Sequence, residues 1–202
     1  ARQRRLTSVL VQQARAQERS SGMMADVLAR IVAYRNGEGG DHARHIRRLT
    51  ELLLERLTEK TDRYRLTRPD CRRIAAAAMF HDIGKTKELS VFPENDYTDD
   101  GQLLGHIIIG TEMVSERMRT IEGVPPKLAT ELKHCILAHH GELEYGSPKK
   151  PALVEAMALS FADNVDAKME TMREILANVP DNNLEWQGYS RLLETNIRKT
   201  SK

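Results

Sequence analysis

Apolar residues recur at spacings of three and four along almost the whole chain, with glycine and proline as the interruptions, and that period folds into helices. Leu6, Val9, Leu10, Met24, Val27, Leu28, Ile31 and Val32 predict one or two amphipathic helices in an N-terminal helical arm or linker over residues 1–35. Gly37, Gly39 and Gly40 stop that pattern, and Asp41 can cap a new helix. Its apolar stripe is Ile46, Leu49, Leu52, Leu53 and Leu57, ending near Thr61. Pro69-Asp70 restarts the chain into a helix that is apolar nearly all round through Ile74 to Phe80, and it is expected to be central and closed by Gly84. Residues 89–102, with Pro93, Asn95, Asp96 and Gly101, predict a loop, and residues 103–118, 126–140, 151–176 and 184–197 predict further helices. Aromatic residues make up only 4% of the chain, which speaks against a sandwich or barrel. The expected fold class is all-α.

At 202 residues the chain suits one globular domain, placed at residues 36–202, behind the arm. Its net charge of +2 excludes the blanket basicity of a histone-like binder, although residues 1–20 hold five arginines against one glutamate. Cys71 and Cys135 lie in apolar stretches and read as buried thiols in a reducing compartment. The longest uncharged apolar run, Ile74 to Phe80, falls far short of a membrane span. A cytoplasmic protein without a membrane partner is expected. The opening alanine suggests a piece of a longer protein with further domains.

Seven candidate ligands stand in a coherent order: His42, His81-Asp82, His106, His139-His140 and Asp163. Imidazole and carboxylate together suit Mn, Fe, Ni or Zn, and residues at helix ends or within apolar helices can converge inside a bundle. Left without partners, such a buried set would be costly. A single histidine in such a place is more often a satisfied core residue, but here five histidines and two aspartates coincide. No glycine-rich nucleotide loop is present, and hydrolysis by metal-activated water is the economical chemistry.

The string His81-Asp82-Ile83-Gly84-Lys85 resembles the HD-domain superfamily of metal-dependent phosphohydrolases, over roughly residues 36–170. The resemblance implies an HD helical bundle with the metal site at its centre. It implies His42, His81, Asp82 and Asp163 on one metal, His106, His139 and His140 on a second, and Asp82 bridging the two. Lys85 would lie beside them, facing substrate phosphate, so that Asp82 and Lys85 are the catalytic pair. The implied cofactors are divalent ions, two in number, with Mn, Fe or Ni favoured over Zn or Mg. Glu38, four residues before His42, reads either as a ligand of a third ion or as a solvated turn carboxylate. His45 is an alternative first ligand, but His42 matches the family better. Asp166 and Lys168 are expected to orient Asp163.

Two branches of the superfamily compete. Residues 34–54 and Thr61-Asp-Arg-Tyr64 look like HD-GYP proteins, many of which hydrolyse cyclic di-GMP. From His81 onward, Lys87-Glu-Leu, Leu103-Leu-Gly-His-Ile107, His139-His-Gly141, Glu144-Tyr-Gly-Ser-Pro148 and Asp163-Asn-Val-Asp-Ala-Lys-Met169 resemble YhaM-type 3′-5′ exoribonucleases. The Gly-Tyr-Pro element of the first branch is absent, and nothing in residues 1–35 alternates like the strands of the second branch's oligonucleotide-binding domain. An intermediate between the branches, or a junction of the two near His81, would explain both observations. The expected function is a phosphohydrolase or phosphodiesterase acting on a nucleotide or a nucleic-acid 3′ end. The alternatives are cyclic di-GMP hydrolysis and a silent signalling module, with a homodimer through the N-terminal helix. Lys149 and Lys150 read as surface lysines, and Met157, Met169 and Met172 as core filler.

Overall fold

The computed structural model describes residues 41–90, 94 and 96–201, together with positions 12, 23 and 27. The arm expected over 1–35 and Glu38 otherwise lie outside the described residues. Among these residues the fold is all-α, six helices with one small two-stranded sheet.

Helix α1, His42–Lys60, buries Ala43, Ile46, Thr50 and Leu54, one stripe at spacings of three and four. The expected stripe is thus corrected: Leu52 and Leu53 are exposed, and Leu54 turns inward against Cys71 and Ala158. Asp41 precedes α1 without a side-chain cap and pairs instead with Arg44 at 2.8 Å. Helix α2, Arg68–Ala78, begins with a reciprocal cap in which the Asp70 N–H donates to Thr67 Oγ1 and the Thr67 N–H donates to Asp70 Oδ2. It is amphipathic, not apolar all round: Cys71, Ala75 and Ala78 are buried, whereas Arg72, Arg73 and Ala77 are exposed.

Nor does α2 run to Gly84. Residues 79–84 wind through successive tight turns, with Phe80, His81, Ile83 and Lys85 each donating its N–H three residues back. In an α-helix, neighbouring side chains point about 100° apart. Leaving the helix lets the adjacent His81 and Asp82 face one spot. The short helix α3, Lys85–Glu88, follows, and then α4, Asp99–Arg119, which starts earlier than expected because Thr98 Oγ1 accepts from the Gly101 N–H. Gly105 breaks α4 at φ +72°, ψ 160°, a left-handed backbone that glycine adopts without Cβ strain. Gly84 abuts the same helix so closely that a Cβ there would lie 1.9 Å from the His106 carbonyl oxygen.

Helices α5, Pro126–Leu137, and α6, Val154–Leu176, complete the bundle, both shorter than expected. Helix α1 packs against α2 and α6, and α4 against α3 and α5. Ile46, Ala78, Leu159 and Ala162 form one apolar cluster with Leu49 and Cys135, and Leu54, Cys71 and Ala158 form another with Leu66, Ile74 and Val154. Small side chains at these crossings let the helices approach, and burial of each large aliphatic contributes about 1.5–3 kcal/mol. Both cysteines are free; Cys71 is buried and Cys135 half-buried. Met157 and Met169 are exposed on α6 and do not fill the core.

The helix expected over 184–197 is replaced by a β-hairpin, β1 Trp186–Ser190 antiparallel to β2 Thr195–Arg198. Gly188 and Glu194 both take positive φ, which a helix excludes, and Trp, Tyr, Thr and Ile favour strands. No described helix is long and apolar enough to cross a membrane.

Candidate metal centre

The turn at 79–84 sets the middle of the site. Asp82 is buried, and its two oxygens face different neighbours. Oδ2 lies 3.2 Å from His81 Nε2 and 2.8 Å from Lys85 Nζ, while Oδ1 lies 3.3 Å from His106 Nε2 and 3.4 Å from His139 Nε2. Asp163, from the middle of α6, places Oδ1 3.5 Å from His81 Nε2 and 3.8 Å from His42 Nε2. His140 stacks edge-on against His139 with ring centroids 4.3 Å apart. The structure brings all seven sequence-predicted ligands together: His42, His81 and Asp82 form one close group, His81, His139 and Asp163 a second, and His106, His139 and His140 a third.

What turns each imidazole inward is the bond on its other nitrogen. His81 Nδ1–H donates to the Ala78 carbonyl at 2.9 Å, His139 Nδ1–H to that of Ile136 at 2.7 Å, and His140 Nδ1–H to that of Tyr145 at 2.7 Å. A carbonyl oxygen only accepts, so Nδ1 carries a proton and Nε2 is the nitrogen aimed at the site. The first two bonds repeat one local device: as α2 and α5 end, a histidine folds back onto the carbonyl three residues before it.

Two carboxylates orient the remaining histidines. Asp166, expected to orient Asp163, instead accepts from His42 Nδ1 at 2.7 Å and His45 Nδ1 at 2.8 Å. His45 is thereby fixed as a half-exposed neighbour and stands in none of the three close groups; Lys168 is exposed. Glu88, outside the sequence-predicted set, is buried and accepts from the His106 backbone N–H at 2.9 Å and from His106 Nδ1–H at 3.2 Å. The left-handed Gly105 immediately before His106 was the available signal, since it frees that N–H from the helix.

Burial disfavours charge on His81, yet the carboxylates of Asp82 and Asp163 outweigh it and hold its pKa well above the ordinary imidazole range. Burial likewise opposes ionisation of Asp82, but His81, His139 and Lys85 hold it well below the usual carboxylate range. Asp163 is lowered against its burial by His81 and His139, and burial with His139 beside it lowers His140. The site is therefore an ionised carboxylate pair ringed by imidazoles. His81 Nε2, Asp82 Oδ1, His106 Nε2 and His139 Nε2 are buried without a hydrogen-bond partner. Each such atom costs about 1–3 kcal/mol. Four of them aimed at one space fit a site built for divalent cations, which would take the lone pairs directly.

A sequence profile of the HD domain family matches residues 40–168. The chain belongs to the HD domain family. This agrees with the expected all-α, metal-dependent hydrolase. Curated relatives share more. The 3′-5′ exoribonuclease YhaM of Bacillus velezensis is 43% identical over 104 residues, 52% of this chain and 33% of the relative. That of Bacillus subtilis is 42% identical over 104 residues, with the same shares, and that of Bacillus pumilus 44% over 103 residues, 50% of this chain and 32% of the relative. The matches thus span about a third of the relatives' length. No solved structure matches significantly.

Proposed function

We propose that this HD domain is a metal-dependent phosphodiesterase that hydrolyses a phosphoester at the 3′ end of a nucleic acid. The observation that carries the reading is the convergence beside Lys85 of three buried, unpartnered Nε2 atoms and one unpartnered oxygen of Asp82. His42, His81, Asp82 and Asp163 would hold one divalent ion and His106, His139 and His140 a second, with Asp82 offering one oxygen to each side. Mn, Fe or Ni suits these nitrogen and oxygen donors. When bound, the ions supply charge neutralisation at a phosphoryl oxygen and a water acidified to near-neutral pKa. Lys85 adds a fixed ammonium donor toward substrate phosphate, steadied by Asp82 at 2.8 Å. The exoribonuclease relatives support nucleic acid as the substrate. The domain is taken to extend to residue 202, because the hairpin buries Ile197 and packs on α6.

The test is elemental analysis of the purified chain together with a Mn-supplemented assay of 5′-labelled RNA, cyclic di-GMP and bis(p-nitrophenyl) phosphate. The expected result is two ions per chain and RNA shortened from its 3′ end, with both lost in His81→Ala while helicity stays. RNA left intact while cyclic di-GMP opens, or turnover that survives His81→Ala, would overturn the reading.

A further inference from the structure

The hairpin has an inner and an outer face. Ile197 is 2% exposed, on the side where β2 meets α6. Alternation along the strand then sends Asn196 and Arg198 outward. Tyr189 pairs with Asn196 and Trp186 with Arg198, and cross-strand partners share a face. Residues three apart on a regular strand would face opposite ways. The register shifts between Trp186 and Tyr189, around Gly188 at φ +98°, and this irregularity returns both rings to one side. Trp186 is 66% exposed and Tyr189 63%. The Arg198 guanidinium lies 5.9 Å from the centre of the Trp186 ring.

We propose that this outer face is a stacking surface for single-stranded nucleic acid. Two exposed rings, a guanidinium and an amide are the side chains that grip unpaired bases and their backbone. The charge agrees: residues 186–202 hold four basic residues against one acidic. Lys199 is occupied in tying the hairpin to the Val179 carbonyl and to Asp181, which leaves Arg191 and Arg198 exposed for phosphates. The choice of ligand rests on the function proposed above; the geometry of the face does not.

Trp186 is the chain's only tryptophan, so its emission reads this face directly. The Mn-loaded full chain is titrated with a 2′-O-methyl phosphorothioate oligouridylate, which resists hydrolysis, and with a duplex of the same length. The single strand should quench the emission to saturation, with binding about tenfold weaker in Tyr189→Ala and in Arg198→Ala and falling with salt. Hydrolysis of bis(p-nitrophenyl) phosphate should be unchanged in both variants. Absent quenching, equal quenching by the duplex, or a dimer that Trp186→Ala dissolves would each overturn the proposal, the last by placing a second copy on the face. Because binding is read without turnover, a chain that quenches but never shortens RNA would count against the proposed reaction and not against this surface.

Discussion

One carboxylate oxygen of Glu88 accepts both the backbone N–H and the ring Nδ1–H of His106, at 2.9 and 3.2 Å. The break at Gly105 frees the first donor and Glu88 fixes the second, so ring position and ring rotation share one anchor. Glu88→Ala should therefore weaken binding of one of the two proposed ions about 10–100-fold while the other stays, as is usual when the group orienting a metal-ligating histidine is removed. Glu88→Gln, which still presents an acceptor oxygen, should recover most of that loss. Calorimetric titration with Mn checks both; full affinity for both ions in Glu88→Ala would show that His106 orients itself.

Gly84 tests the closeness of turn and helix. A methyl group there meets the His106 carbonyl oxygen at 1.9 Å and the Gly110 nitrogen at 2.7 Å, both backbone atoms of α4 that cannot swing aside. Gly84→Ala should cost about 3 kcal/mol, a fall in Tm of roughly 6–12 °C for a domain of this size. An unchanged melting curve would mean that α4 does not lie against the turn.

Cations should stabilise the fold itself. The unpartnered Nε2 atoms and Asp82 Oδ1 would gain partners only in the loaded, folded chain. At a Mn concentration a hundredfold above Kd, linkage gives about 2.7 kcal/mol, or roughly 5–11 °C in Tm. Scanning calorimetry with Mn against chelator measures it, and the shift should vanish in Asp82→Ala.

The thiols should be inert while the chain is folded. Burial, with Glu155 and Glu131 nearby, pushes Cys135 up to about 12, and burial raises Cys71 as well. A raised thiol pKa means less thiolate at a given pH, so at pH 8 Cys135 should alkylate about a thousandfold more slowly than a free thiol. Intact-mass analysis after iodoacetamide treatment should show little labelling until denaturant is added.

The identity of the seven inward residues is legible in sequence because each lies beside a local signal, a glycine turn, an apolar helix or a doublet of histidines. Their supports are harder to read. Asp166 sits three residues after Asp163, which suggests a local partnership, but its partners are 124 and 121 positions away. Glu88 looks like one more surface acid in Lys85-Thr-Lys-Glu88 until the Gly105 break sets His106 beside it. The adjacent His81 and Asp82 imply a departure from helical geometry that the apolar run before them hides. The hairpin is hidden in the sequence because Leu184, Leu192, Leu193 and Ile197 mimic a helical stripe, while positive φ at Glu194 leaves no mark there.

The bond between His42 and Asp166 joins the first described helix of the bundle to the last. Contacts across so long a stretch close a large loop, and the entropy of that closure is lost before any contact rewards it. Until α6 docks, the ring of His42 has no carboxylate to turn it, and Asp163 is missing from the cluster. A chain caught partway through synthesis or refolding holds His81, Asp82 and His106 without the full set that would grip an ion. A chain without α6 should therefore hold the proposed ions less tightly than the whole bundle.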